Sequence, residues 1–425
     1  MDIQKIVRWK SELEHHLEHE LLPFWLDRCW DSENGGYLTQ YDTNGNLTDC
    51  NEKSMLAHMR TLYALSLATA YGHDKDGRCA KFAKKGFDFA IDMLWDKVYG
   101  GFYWLFDRQN HIINDQKIVY GQEFAIYALA TYAKQFHDSV ALSYAEKCFD
   151  LLQKYATETS RGGYWEMFSR DWRLCGPGPE GGDRKTLDVH MHLMEAYTAL
   201  YEVSGEDIHR RKLEEVIDIL MNTMLDKQYR TGIPQFDKNW NVAPQIKFNV
   251  VWGMDRFDKA GQKPHSDNTS YGHNVELFWL MSTALKVLGK SSTAYDSTFH
   301  AILDHAIEHG IDWECGGVYV EGAADGSAVY DKVKEFWQQA ELMNGMLEAY
   351  LLYHDDKYLD AYCNVHEFVM KKVIKHEVGE WWPLLTKEGK PIWTYMSNSW
   401  KVNYHTIRGS VLSIDRLSRI LTIKQ

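Results

Sequence analysis

Two kinds of segment alternate along the chain. In one, apolar residues recur every three or four positions, the period of a helix packed on a core. In the other, short polar stretches carry glycine next to aromatic residues. The helical segments form two sets. The first covers about 5–28, 78–95, 140–156, 208–225, 292–309 and 356–373, and is charge-rich on one side, as in Arg210-Arg211-Lys212-Leu213-Glu214-Glu215. The second covers about 54–73, 120–135, 187–203, 271–289, 332–354 and 404–421, and is apolar around most of its circumference, as in Tyr63-Ala64-Leu65-Ser66-Leu67-Ala68. A helix apolar on most sides belongs in an interior. Six outer and six inner helices are therefore expected.

A turn motif separates the members of each pair. Trp30-Asp31 leads to Gly35-Gly36-Tyr37, and Trp95-Asp96 to Gly100-Gly101-Phe102. Gly162-Gly163-Tyr164-Trp165 and Asp312 with Gly316-Gly317-Val318-Tyr319 repeat the design. Looser copies are Asp226 with Gly232-Ile233-Pro234-Gln235-Phe236, and Gly379-Glu380-Trp381-Trp382. Paired glycines give the backbone the freedom a tight turn needs, and the aromatic residues beside them form short hairpin strands. A six-fold alternation of this kind predicts an all-α (α/α)6 barrel, twelve helices with short β-hairpins in the loops. No Pro/Ser-rich linker interrupts it, so residues 1–425 are expected to form a single catalytic domain. The longest loop, roughly 226–270, holds Trp252-Gly253-Met254-Asp255-Arg256-Phe257-Asp258 and is expected to wall a cleft.

Composition narrows the partners. A net charge of -13 argues against nucleic acid or an anionic membrane surface. No apolar run reaches membrane-spanning length, and the first ten residues lack a signal core, which predicts a cytoplasmic protein. A monomer or homodimer is expected. Seven scattered cysteines without a CxxC pair indicate neither a disulfide framework nor a zinc cluster. The aromatic content, with 16 Trp and 25 Tyr, suits either a sugar-binding cleft or a Trp-rich core.

In a ring of this kind all inner helices start at one rim, and unusual polar residues gather there. They are His58 and Arg60; Tyr120 and Glu123; Asp188, His190, His192 and Glu195; His273 and Glu276; Trp337 and Glu341; Trp400, His405 and Arg408. His273 and Glu276, three residues apart, share a helix face and suit general acid/base work. Arg60 among apolar residues needs a partner if buried, either a substrate or a carboxylate such as Glu276. His190 and His192 alone are too few ligands for a specific metal. His15, His16 and His19 fall on an outer helix and are expected in solvent.

These residues resemble a known family. Tyr120-Gly121-Gln122 with Phe124-Ala125-Ile126-Tyr127, His192 with Glu195-Ala196-Tyr197-Thr198, Ser270-Tyr271-Gly272-His273 with Glu276, Gln339-Ala340-Glu341, and Trp400 with Tyr404-His405 are similar to motifs of the N-acylglucosamine 2-epimerase superfamily, in its cellobiose and mannose 2-epimerase branch. The resemblance runs essentially end to end. It implies an (α/α)6 barrel that interconverts C2-epimeric aldoses without metal or redox cofactor. It places His273 and His405 on the acid/base pair, with His192, Arg60 and Glu276 supporting. Trp337 and Trp400 fall on sugar-packing positions, and Tyr120, Asp188 and Glu341 are further candidates for substrate binding.

The residue types agree with that chemistry. Two imidazoles on opposite faces of C2 can remove and return its proton through an enediolate, and cations such as Arg60 and His192 can hold the negative oxygens. Two positions depart from the disaccharide-epimerase pattern. Asp188 stands where Asn is usual, and Phe336 replaces the first Trp of a Trp-Trp pair. Both tilt the expected substrate toward D-mannose and D-glucose and away from cellobiose. An aldose–ketose isomerase, an inverting glycoside hydrolase using Glu276 and Glu341, and a non-catalytic glycan binder are the competing readings.

Overall fold

The computed structural model describes residues 2–50, 52–250 and 265–424. Twelve helices dominate these residues. In chain order they are α1 (Ile3–His16, prolonged through Leu26), α2 (Met55–Ala70), α3 (Arg78–Phe89), α4 (Val119–Phe136), α5 (Ser139–Leu151), α6 (Leu187–Ser204), α7 (Asp207–Asn222), α8 (Tyr271–Val287), α9 (Asp296–His305), α10 (Phe336–Tyr353), α11 (Asp356–Phe368) and α12 (Asn403–Lys424). The even-numbered helices pack each on the next, and α12 packs on α2, which closes an inner ring. Each odd-numbered helix lies outside the inner helix before it, and α1 covers α12. This is the expected (α/α)6 barrel.

Burial follows the two sequence patterns. In α7 the buried residues are His209, Leu213, Val216, Ile217, Leu220 and Met221, one stripe at helical spacing. In α10 every residue from Phe336 to Tyr350 is buried. The predicted start of α10 near 332 moves to Phe336, because Lys334 and Glu335 are extended and pair with Leu384–Leu385. His16 also departs from expectation. It is fully buried, whereas His15 and His19 are exposed. Its Nδ1 faces Glu20 at 2.7 Å, and Trp381 Nε1–H donates to its Nε2 at 2.9 Å. Four outer helices, α3, α5, α9 and α11, end in a π-helical turn, whose final N–H reaches back five residues before the hairpin begins.

All six predicted turns form, and a common device fastens five of them. Asp31, Asp96, Asp226 and Asp312 each accept two backbone N–H groups, two and three residues onward, on Oδ1. A buried lysine two residues before the next inner helix then reaches the turn's acid. The pairs are Lys53–Asp31 at 2.9 Å, Lys117–Asp96 at 3.1 Å, Lys185–Glu158 at 3.2 Å, Lys334–Asp312 at 2.9 Å and Lys401–Glu380 at 3.1 Å. In the fourth repeat Thr269 takes the lysine's place and donates to the Gly232 carbonyl at 2.8 Å. The fourth residue of the inner helix secures the same turn. Gln122 and Gln339 each exchange two bonds with it, through Phe102 and Val318, while His190 and Asn274 accept from Tyr164 and Gly232. Gly317 shows why glycine is needed there, since its φ is +81° and a Cβ would meet Phe368 at 2.6 Å.

The strands extend the pattern beyond local hairpins. The strand leading into each inner helix pairs with the strand beyond the next repeat's turn: Glu52–Ser54 with Leu105–Asp107, Lys117–Ile118 with Met167–Phe168, Arg184–Thr186 with Gln235–Asp237, Asn268–Ser270 with Glu321–Ala323, and Lys334–Glu335 with Leu384–Leu385. Tyr395–Ser397 with Tyr41–Asp42 completes the circle. This belt holds the N-termini of all six inner helices at one rim. The predicted long loop contributes the Gln235–Asp237 strand, and its Trp252–Asp258 segment lies outside the described residues.

Candidate active site

Because the belt holds the inner helices in register, equal positions along them fall at equal depth. The sixth residue of each inner helix forms a ring: Arg60, Phe124, His192, Glu276, Glu341 and Arg408. Nearer the rim, the second and third positions supply Tyr120, Asp188, His273, Trp337, Tyr404 and His405. The sequence-predicted residues of the inner helices therefore converge, and Trp400 joins them from the bend between the Tyr395–Ser397 strand and α12. His190, two residues from His192, points instead to its hairpin, so the HxH pair is split between ring and scaffold.

Three histidines meet three different environments. His405 lies with Nδ1 2.7 Å from Glu341 Oε1. Burial pushes its imidazole down to about 3, against the pull of Glu341, so the ring is neutral. Its Nδ1–H donates to Glu341, which leaves Nε2 as the basic nitrogen. His192 is the opposite case. Its Nδ1 is 2.8 Å from Glu195 and its Nε2 3.4 Å from Asp188. Burial opposes its charge, but the two carboxylates outweigh burial and raise it to about 10. It is an imidazolium at neutral pH. His273 is the most open, with 22% of its side chain exposed, and its Nε2 sits 3.5 Å from the same Asp188 oxygen. Its backbone N–H is capped by Ser270 Oγ at the start of α8. Although burial works against its charge, His192 and His273 hold the Asp188 carboxyl down to about 2.

The rings of His273 and His405 both pack on the Trp337 indole, at centroid distances of 4.6 and 5.7 Å. Trp337 Nε1–H donates to Glu335 at 2.8 Å, which fixes the indole. Arg60 is buried beside them. It donates to the Tyr120 hydroxyl at 2.8 Å and the Trp400 carbonyl at 3.1 Å, and it lies over the Phe124 ring at 4.4 Å. Of the two partners considered for Arg60, a substrate or a carboxylate such as Glu276, the second is not found: among the described residues no ion pair joins Arg60 to a carboxylate, and Glu276 pairs elsewhere. A guanidinium buried against aromatic faces and neutral oxygens suits an incoming negative charge.

Glu276 pairs with Arg408 instead, at 2.6 Å. Arg408 also binds Glu341 at 2.7 Å, together with Glu195 and the Tyr404 hydroxyl. Sequence reasoning placed Arg408 on α12 but missed this hub. The available signal was spacing: Arg408 follows His405 by three residues, as Glu195 follows His192 and Glu276 follows His273. Glu341, predicted to bind substrate, is turned to His405, Arg408 and Trp279 Nε1. Oxygens of Glu276 and Glu341 lie within 4.8 Å of each other on one guanidinium, too close for the carboxyl pair of an inverting hydrolase. A second group, His16, Glu20 and His376, has metal-ligand spacing. The Trp381 donor at His16 Nε2 keeps the proton on Nδ1, so that nitrogen has no lone pair for a cation.

Comparison with known proteins gives a consistent picture. The model of a family described as N-acylglucosamine 2-epimerase (GlcNAc 2-epimerase) matches residues 36–409. The chain is 30% identical to a cellobiose 2-epimerase of Ruminococcus albus over 410 residues, 94% of this chain and 96% of that protein. It is 26% identical to a D-mannose isomerase of Marinomonas mediterranea, across 94% of this chain and 95% of that one. The solved cellobiose 2-epimerase from Bacillus thermoamylovorans superposes with a TM-score of 0.85 at 27% identity, covering 96% of this chain and 100% of the other. Among the described residues no helix is long and apolar enough to cross a membrane.

Proposed function

Because the chain belongs to the N-acylglucosamine 2-epimerase family, we propose that it interconverts D-mannose and D-glucose by moving the proton on C2 of the open-chain sugar. It is an isomerase-class carbohydrate epimerase. The observation that carries the mechanism is the pair of imidazoles, His273 and His405, that approach one indole from different helices. With the sugar packed between Trp337, Trp400 and Tyr120, one neutral imidazole takes the C2 proton and the other, entering the step as an imidazolium, gives its own proton to the opposite face. Neutral His405 offers Nε2 as a base in one direction, and His273 serves in the other. The enediolate formed between the two steps is held by the buried charge of Arg60 and of the His192 imidazolium. Asp188 keeps His192 charged and lies beside His273 at the open end of the site. The whole chain acts as one catalytic domain, in the cytoplasm, as a monomer or homodimer; seven free cysteines support a reducing setting.

Asp188 and Phe336 support a monosaccharide substrate. Phe336 is buried edge-on against His405 and Trp400, at 5.9 and 6.3 Å, and so leaves no indole at its position for an outer sugar. The named relatives favour a second reading, a disaccharide 2-epimerase acting on cellobiose. Incubation of mannose, and separately cellobiose, in deuterated water with NMR at C2 tests both. Deuterium at C2 with glucose formed from mannose, and little exchange with cellobiose, is the expected result. Fructose from mannose would replace epimerisation by aldose–ketose isomerisation.

A further inference from the structure

Below the two histidines, three carboxylates meet at Arg408, and they are not equally supplied with donors. Glu195 accepts from His192 Nδ1 at 2.8 Å, from the Tyr404 hydroxyl at 3.0 Å and from Arg408. Glu341 accepts from His405 at 2.7 Å, from Trp279 Nε1 at 3.0 Å and from Arg408 at 2.7 Å. Both are thus fully met as anions. Among the described residues Glu276 accepts only from Arg408, through Oε1 at 2.6 Å, and its Oε2 is buried with no hydrogen-bond partner. A bare carboxylate oxygen in that place is costly, whereas a protonated one is a donor awaiting an acceptor.

We propose that Glu276 is a neutral carboxylic acid in the working enzyme, with its proton on Oε2, and that it donates this hydrogen bond to a sugar oxygen at the reacting carbons. The charges facing it agree. Arg408 and His405 come from α12, Glu341 from α10, His192 and Glu195 from α6, and His273 from its own helix. With the Asp188 carboxylate that shares His192 and the buried Arg60 counted in, four ionised carboxylates would exceed three cations, Arg408, Arg60 and the His192 imidazolium. With Glu276 neutral, the cluster balances. Burial and the neighbouring Glu341 carboxylate push the Glu276 carboxyl up, against Arg408 and His192. One Glu276 oxygen lies within 4.8 Å of a His405 ring nitrogen, so the carboxyl stands beside that histidine. The proton stays on Glu276 throughout the cycle, so this residue stabilises charge and takes no part in the C2 transfer.

The choice of acceptor rests on the epimerase reading; the protonation does not. Infrared difference spectra of wild-type protein against Glu276→Gln read the proton directly. A protonated-carboxyl C=O band at neutral pH, absent in the variant and bleached in wild type on going alkaline, is expected. Its absence at neutral pH overturns the proposal. Kinetics read the hydrogen bond: Glu276→Gln, which keeps an N–H donor, should lose only a few-fold in kcat, and Glu276→Ala about 10²–10³. Equal losses in the two folded variants would overturn the donor role. If the band is present but wild type exchanges no C2 hydrogen in any aldose, the epimerase reading and the sugar acceptor fall together, while the proton stays assigned.

Discussion

His405 Nδ1 lies 2.7 Å from Glu341 Oε1, and this contact decides which nitrogen of His405 is basic. Glu341 in turn is held by Arg408 and Trp279, so the imidazole has little freedom to turn. Replacing His405 with Asn keeps a donor for Glu341 while removing the base, and His273→Ala removes the other. Each change should lower kcat for C2 hydrogen exchange by about 10²–10⁴. Thermal unfolding should stay close to wild type. Turnover retained by either variant takes that histidine out of the pair.

Asp188→Asn should make the enzyme alkali-sensitive. His192 keeps its proton until the pH climbs through about 10, whereas an unfolded chain releases it at about 6.5. The stability from its carboxylates is therefore complete below about 6.5 and is lost as the pH rises through the folded value. The substitution leaves Glu195 alone to hold the imidazolium. The alkaline fall in kcat/KM and in Tm should both move toward neutral pH. Profiles that overlay wild type would show that Asp188 does not hold the charge.

His190 should be replaceable by Gln, because Gln122 and Gln339 perform its task in other repeats. Its Nε2 accepts from Tyr164 N–H at 3.1 Å, and its Nδ1–H donates to the Thr186 carbonyl at 2.8 Å. Burial pushes His190 down to about 4. As the pH falls below about 6.5, the unfolded chain takes a proton that the folded one refuses, and stability drops by about 1.4 kcal/mol per pH unit. His190→Gln should keep activity and flatten the acid dependence of Tm. Loss of activity in folded His190→Gln would return the residue to the site.

Lys334→Met should be among the most destabilising single changes away from the ring of catalytic candidates. It strips Asp312 of its buried partner at 2.9 Å and frees the carbonyl of Lys387. Breaking one side of a buried pair costs about 3–5 kcal/mol. Lys334→Met combined with Asp312→Asn should recover part of that loss, since no bare charge remains. Denaturant unfolding of the two variants measures the difference, and equal stabilities would remove the ion pair as the cause.

Most of the scaffold was legible because local rules and the ring agree. Gly-Gly turns, apolar inner helices and striped outer helices each demand their place without help from distant residues. His16 was misread because an outer helix buries one stripe, and burial of a histidine depends on a donor, Trp381, 365 residues away in sequence. The sequence left the partner of Arg60 open between a substrate and a carboxylate such as Glu276 for the same reason: charge type gives the need for a partner but not its direction. Two signals were present and unread. Lysines recur two residues before five inner helices, and charged residues recur at the sixth position of the ring. Both become meaningful only when the six repeats are aligned by their helix starts.

The belt of strands also sets when the enzyme can first work. Its last rung joins residues 41–42 to 395–397, so the ring shuts only when the two extremes of the chain meet, the costliest loop to close. His405 and Arg408 lie just past that rung, and α1 seals the helix that carries them. A chain that stops short of α12 carries Arg60, His192 and His273 but lacks His405 and the Arg408 hub for three carboxylates. On the proposed mechanism, activity therefore waits for that closure.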